Sequence, residues 1–140
     1  AEVTDDIHNQ PFEKFNVWQG DNIQFGMQLP DQNGYWEVGL SRLNNGSSEV
    51  FVFQTPDKFN VDAAQKAMKL VTSRNGDKTV YELEIPLSAI GMDVKKAGQG
   101  VRFNLLVNEN DGEGRDGWIH IAPGIGENKN PDKFPMVIFE

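Results

Sequence analysis

The 140-residue sequence predicts an all-β chain: an antiparallel two-sheet β-sandwich, of jelly-roll or immunoglobulin-like type, in one domain over residues 1–140. Three observations predict it. Short runs that alternate apolar and polar residues recur along the chain. Turn residues punctuate them, and no long helical period interrupts them. A hydrophobic share of 38%, with 10% aromatic, supplies the core that a chain of this size can bury.

Asn22 to Leu29 alternates, with Ile23, Phe25, Met27 and Leu29 on a core face and Gln24, Gly26 and Gln28 on a polar one. Pro30-Asp31-Gln32-Asn33-Gly34 then turns the chain into Tyr35 to Leu43, where Trp36, Val38 and Leu40 oppose Glu37, Gly39 and Ser41. The two runs read as a hairpin. Asn44-Asn45-Gly46-Ser47-Ser48 leads into Val50 to Phe53, which Pro56 and Asp57 end. Ala67 to Arg74 reads as a strand, although Val61 to Lys69 is open to a second reading as one short helix. Asn75-Gly76 joins it to Thr79 to Ile85 as a type I′ hairpin, a turn that needs φ > 0 at both central residues. Pro86 to Gly91 has room for one helical turn. Val101 to Val107, Trp118 to Ile121 and Met136 to Phe139 bring the count to about eight strands.

Charge and composition exclude several classes. Thirteen Lys and Arg against 21 Asp and Glu give a net charge of -8, so nucleic-acid binding lacks its main electrostatic term. No apolar run approaches the roughly 20 residues of a membrane helix. The absence of cysteine removes disulfides, thiolate metal sites, cysteine nucleophiles and iron–sulfur clusters together. A start at Ala1, without Met or a leader-like segment, reads as a processed or excised product.

Gly112-Glu113-Gly114-Arg115-Asp116-Gly117 has the letters GxGxxG, but a β-type run follows it and two carboxylates occupy it, so it reads as a tight surface turn. Asn108, Glu109, Asn110, Asp111, Glu113 and Asp116 gather oxygen donors of the kind calcium takes. A second group holds Asp5, Asp6, Asn9 and Gln10, with Asp21 after it, where a cation would relieve carboxylate repulsion. Solvated surface acids are the plain alternative for both. For catalysis, His8 and His120 are the sole histidines and neither stands in a nucleophile motif or a zinc-binding pair, so the chain reads as non-enzymatic.

Trp18 lies in Asn16-Val17-Trp18-Gln19-Gly20-Asp21, a polar loop where a core tryptophan is less expected. An indole face suits the apolar face of a pyranose, whose hydroxyls need polar partners such as Gln24, Gln28 and Glu37. Trp36 alternates with the core and reads as packing; Trp118, after the acidic loop, is open to either reading.

The segments Val3-Thr4-Asp5-Asp6, Trp18-Gln19-Gly20-Asp21-Asn22-Ile23-Gln24, Tyr81-Glu82-Leu83-Glu84-Ile85-Pro86, Phe103-Asn104-Leu105-Leu106-Val107-Asn108 and Asn130-Pro131-Asp132-Lys133-Phe134 keep their order over nearly the whole chain. This series resembles carbohydrate-binding module family 9 and its DOMON-like relatives. The resemblance implies a non-catalytic, sugar-binding β-sandwich, often with structural calcium, attached to a secreted bacterial polysaccharide-degrading enzyme, a glycoside hydrolase or lyase. By position it implies Trp18 as an aromatic wall, with Gln24 and Glu37 as polar contacts. The two oxygen-rich groups would supply the calcium ligands from Asp5, Asp6, Asp21, Asp111 and Glu113. The family clamps sugar between two tryptophans, and the second aligns near Asn128, where no tryptophan stands. Either Asn128 and Lys129 supply polar contacts instead, or the specificity has changed, or the site is lost. The family's N-terminal strands are not matched, which implies a sheet edge open to pairing with another chain. Two other functions stay in view: a haem-binding electron-transfer domain, using Met27, Met68, Met92, Met136, His8 or His120 as axial ligands, and a structural role in assembly.

Overall fold

The structure, a computed structural model, describes residues 1–92 and 100–138. The alternating runs form strands β1 (Glu2–Thr4), β2 (Asn22–Gln28), β3 (Trp36–Arg42), β4 (Ser48–Gln54), β5 (Lys69–Asn75), β6 (Lys78–Glu84), β7 (Val101–Glu109), β8 (Gly117–His120) and β9 (Met136–Val137), with helix α1 (Val61–Ala67) between β4 and β5. One antiparallel sheet runs β4-β3-β2-β7-β8, and β9 also pairs with β7; the other runs β1-β6-β5. The core between them holds Ile23, Phe25 and Met27 of β2, Trp36, Val38 and Leu40 of β3, Val52, Val101 and Tyr81. These are the apolar positions of the alternation, sequestered because a one-residue slip in register would turn them all to the other face.

Trp36 anchors this core. It is fully buried, meets Phe59 edge-on at 5.0 Å and donates its indole N–H to Gln32 Oε1 at 3.0 Å, so its one polar atom is satisfied. Helix α1 starts at Asn60, whose side chain accepts the Ala63 N–H. Gln65 Oε1 accepts the Val52 N–H, which ties the helix to β4 at the edge of the larger sheet. Of residues 61–69, the helix takes 61–67 and the strand reading holds from Lys69, where β5 begins. A single 3-10 turn, Leu87–Ile90, occupies the segment with room for one.

Three expectations change. Among the described residues there are nine strands, because β1 is too short for its alternation to show. The closing strand begins at Met136 as expected, while Phe139 lies outside the described residues. The β5–β6 hairpin turns on Gly76 and Asp77, with Asn75 paired to Lys78, and of the two loop residues only Gly76 has a positive φ, +61°. That is the Gly-first pattern of a type II′ turn, not type I′. Arg74 pairs with Thr79 in the ladder and bonds its hydroxyl at 2.8 Å, and this register moves the turn by one residue.

The larger correction concerns the polar face of β2 and β3. It is covered: Asn22, Gln24, Glu37, Ser41, Asn104 and Asn108 are all buried. The 3-10 turn Lys14–Gln19 and the segment 122–134 fold over it. Close approach is possible at Gly39, where an added Cβ would lie 3.0 Å from the Phe53 ring and 3.1 Å from Val17. On this second face Tyr35, Leu106, Ile125 and Phe134 form a small core of their own.

Candidate ligand groove and acidic cluster

Strand register sets the groove floor. Phe51, Gly39, Gln24 and Leu106 stand opposite one another across four strands, and the next row carries Glu37, Gly26 and Asn104. Alternation in β4 places Phe51 and Phe53 on this face, where with Phe15 they form three edge-to-face contacts between 5.1 and 6.3 Å. An open groove of about 420 Å³ lies above, lined by Phe15, Trp18, Gln24, Glu37, Arg115 and Lys129 among others. Its size falls in the range of small-ligand sites, about 300–1,000 Å³.

Trp18 hangs from the 3-10 turn Lys14–Gln19, which is fixed from below by Val17, fully buried against the sheet. Gln24 Oε1 accepts from Asn108 Nδ2 at 3.0 Å, which orients its amide in the floor. Glu37 accepts from the Tyr35 hydroxyl at 3.1 Å and from the Lys129 ammonium, so a buried carboxylate is compensated on both oxygens. Burial and the neighbouring Glu37 charge push the Tyr35 phenol up, which keeps it a donor.

Trp118 belongs to the same sheet face, opposite Asn108, and its indole packs on Gly126, a groove residue. The Arg115 guanidinium lies 4.0 Å from the Trp118 ring centre and 5.8 Å from that of Trp18, so one cation contacts both indoles. Asn110 ties these parts together. Its Oδ1 accepts the N–H groups of Gly112 and Gly114, and its Nδ2 donates to Gln19 O at 2.8 Å. The loop that presents Arg115 is thereby joined to the turn that presents Trp18.

Of the residues expected at a sugar site, the structure brings together Trp18, Gln24, Glu37 and Lys129. Asn128 is exposed and is not among the lining residues. Sequence reasoning missed Phe15, Phe53 and Arg115. The period-2 pattern of β4 was the available signal for Phe53; Arg115 stood inside a loop read for its turn glycines and its acidic oxygens.

The acidic cluster lies next to the Asn110 junction. Oxygens of Asp5, Glu109 and Asp111 fall within 4.8 Å of one another, and so do ligand atoms of Asp5, His8 and Asp21. Asp5 thus links the two groups anticipated from sequence. Asp6 and Glu113 are exposed and belong to neither. Asp21 accepts the backbone N–H groups of Asn9 and Asn110 and faces His8 at 3.5 Å. Burial pushes its carboxyl up to about 7. Glu109 is raised by burial first and then by Asp5, Asp111, Asp116 and Asp6. Three carboxylates held this close form a hard-oxygen donor set that fits calcium, whereas the His8 nitrogen does not suit it. Both His8 ring nitrogens are engaged, Nε2 with Arg42 O at 2.8 Å and Nδ1 toward Asp21. Met27 and Met68 are buried in the main core, and Met136 is exposed.

No protein-family model matches the chain, and no curated protein does. A solved structure is similar: a carbohydrate binding module family 9 from Caldicellulosiruptor kristjanssonii, in complex with cellotriose. The likeness has a TM-score of 0.67 at 19% sequence identity and covers 99% of this chain but only 66% of that one. At this identity the comparison speaks to architecture, and it agrees with the two antiparallel sheets described above: the chain has the β-sandwich fold of a family 9 carbohydrate-binding module.

Proposed function

We propose that the chain is a non-catalytic module that binds an oligosaccharide in the groove beneath Trp18. The observation that carries this reading is the groove itself: indole and phenyl faces of Trp18, Phe15 and Phe53 stand over buried, oriented polar groups of Gln24 and Glu37. Aromatic faces take the C–H face of a pyranose and buried amide and carboxylate groups take its hydroxyls. The similar module described with cellotriose supports a glycan as the ligand class. In the same reading the module is attached to a secreted bacterial glycoside hydrolase or lyase and delivers it to polysaccharide.

Calcium, in this proposal, sits with Asp5, Glu109 and Asp111 and fixes the loop that carries Arg115. Extracellular modules hold calcium at about 10⁻⁴ to 10⁻³ M, so such a site fills outside the cell. A glycan-array screen of the full chain, with calcium and with chelator in parallel, tests both parts. Binding to a defined oligosaccharide set is expected, weakened in chelator. Absence of binding in both conditions overturns the module reading.

A further inference from the structure

Arg115 carries a feature that neutral-sugar binding does not use. Its Nε and Nη2 are buried and find no hydrogen-bond acceptor among the described residues. These two atoms form the edge of the guanidinium whose N–H bonds run parallel, the edge that matches the two oxygens of a carboxylate. Stacking on Trp118 and contact with Trp18 hold the plane of the group, so little is lost in ordering it for a ligand. A buried donor without a partner is costly, more so when charged; this pair is closed to solvent in the ligand-free chain but belongs to a residue that lines the groove, so a ligand carboxylate meets it once the guanidinium slides along the Trp118 face.

Charge around the groove points the same way. The chain as a whole carries -8, yet the charged side chains lining the groove are Arg115 and Lys129 against Glu37 alone. Lys129 is bonded to Glu37, which leaves the Arg115 charge as the excess. Glu127 acts on it electrostatically and lies outside the lining.

From these observations, and resting on the oligosaccharide reading above, we infer that the groove selects a sugar bearing a carboxylate, a hexuronate, with the Nε and Nη2 edge of Arg115 as the specificity-determining contact. A hydroxyl accepts one of the two parallel N–H bonds; a carboxylate accepts both. Charged hydrogen bonds contribute about 1.5–3 kcal/mol, which corresponds to about 10- to 140-fold in affinity.

The experiment is calorimetric titration of the full chain with hexuronate oligosaccharides of several linkages and with their carboxyl-reduced counterparts, which differ only in that group. The expected result is affinity at least about tenfold higher for a uronate than for its reduced partner. Arg115→Gln removes that difference, and Arg115→Lys, which keeps the charge without the parallel edge, restores only part of it. Thermal melts and near-UV circular dichroism confirm that the variants are folded. Reduced oligosaccharides binding as tightly as uronates, with Trp18→Ala weakening both, overturn this inference and leave the sugar-binding reading standing. A sulfated oligosaccharide bound more tightly than any uronate also overturns it. No binding of either class defeats both readings.

Discussion

Replacing Trp18 by alanine removes the indole wall of the groove while leaving its support in place. The turn Lys14–Gln19 is held by fully buried Val17, by the Gly20 N–H to Val17 O, and by Asn110 to Gln19 O. None of these uses the indole, so the fold should tolerate the change. An aromatic side chain can bury about 150–250 Å² in all, and Trp18 is already half-buried, so about 100 Å² remains for a ligand. At about 25 cal/mol per Å² that area contributes about 2.5 kcal/mol. Since 1.4 kcal/mol is tenfold, the expected loss is about 60-fold in affinity. The Arg115 contact, with its guanidinium 5.8 Å from the ring, adds little because Trp118 retains the cation at 4.0 Å. Calorimetry with the tightest oligosaccharide of the array reads the affinity, and urea unfolding reads the stability. Affinity within twofold of the parent, in a folded protein, would refute the reasoning.

Two further perturbations probe the parts around it. Asp21, raised to about 7 by burial, binds a proton in the folded chain at pH values where the unfolded chain has lost it. Its contribution is therefore fully present below about pH 4 and disappears as pH rises to 7, so metal-free protein should melt at lower temperature at pH 8 than at pH 5. Calcium, held by Asp5, Glu109 and Asp111, should separately raise the melting temperature at pH 8, and a melting temperature indifferent to both pH and calcium would contradict the cluster's role. Gly126→Ala puts a Cβ 2.7 Å from the Trp118 indole nitrogen and 2.8 Å from Leu106, so the indole must shift. Overpacking of this kind costs about 1–3 kcal/mol; differential scanning calorimetry should show it, with a loss of oligosaccharide affinity as Trp118 and Arg115 are displaced.

Where the sequence was readable, a local period did the work. The alternation of Ile23, Phe25 and Met27 and of Trp36, Val38 and Leu40 gave the core face, because the two-residue repeat of a strand admits one buried set. What the period could not show was that the opposite face is also covered. The cover comes from the turn Lys14–Gln19 and from residues 122–134, which have no repeat to read, and their contacts with the sheet span many tens of residues. For the same reason Trp18, Gln24 and Glu37 were identifiable as residue types, but Arg115 was not: its place between two indoles depends on loops meeting through Asn110. The acids followed the same rule. Asp5, Asp21 and Asp111 were visible as local concentrations of oxygen, while the meeting of Asp5 with Glu109 and of Asp5 with His8 is a product of the fold.

The central claim, that one groove on the larger sheet is the ligand site, is tested most directly by mapping. Amide and indole resonances of the isotopically labelled chain should be followed during titration with the oligosaccharide that binds best. The account predicts shifts at the Trp18 and Trp118 indoles, at the Gln24 side-chain amide and at the Arg115 Nε, with β5 and β6 unaffected. Shifts concentrated on β1, β5 and β6, with the groove silent, would contradict it.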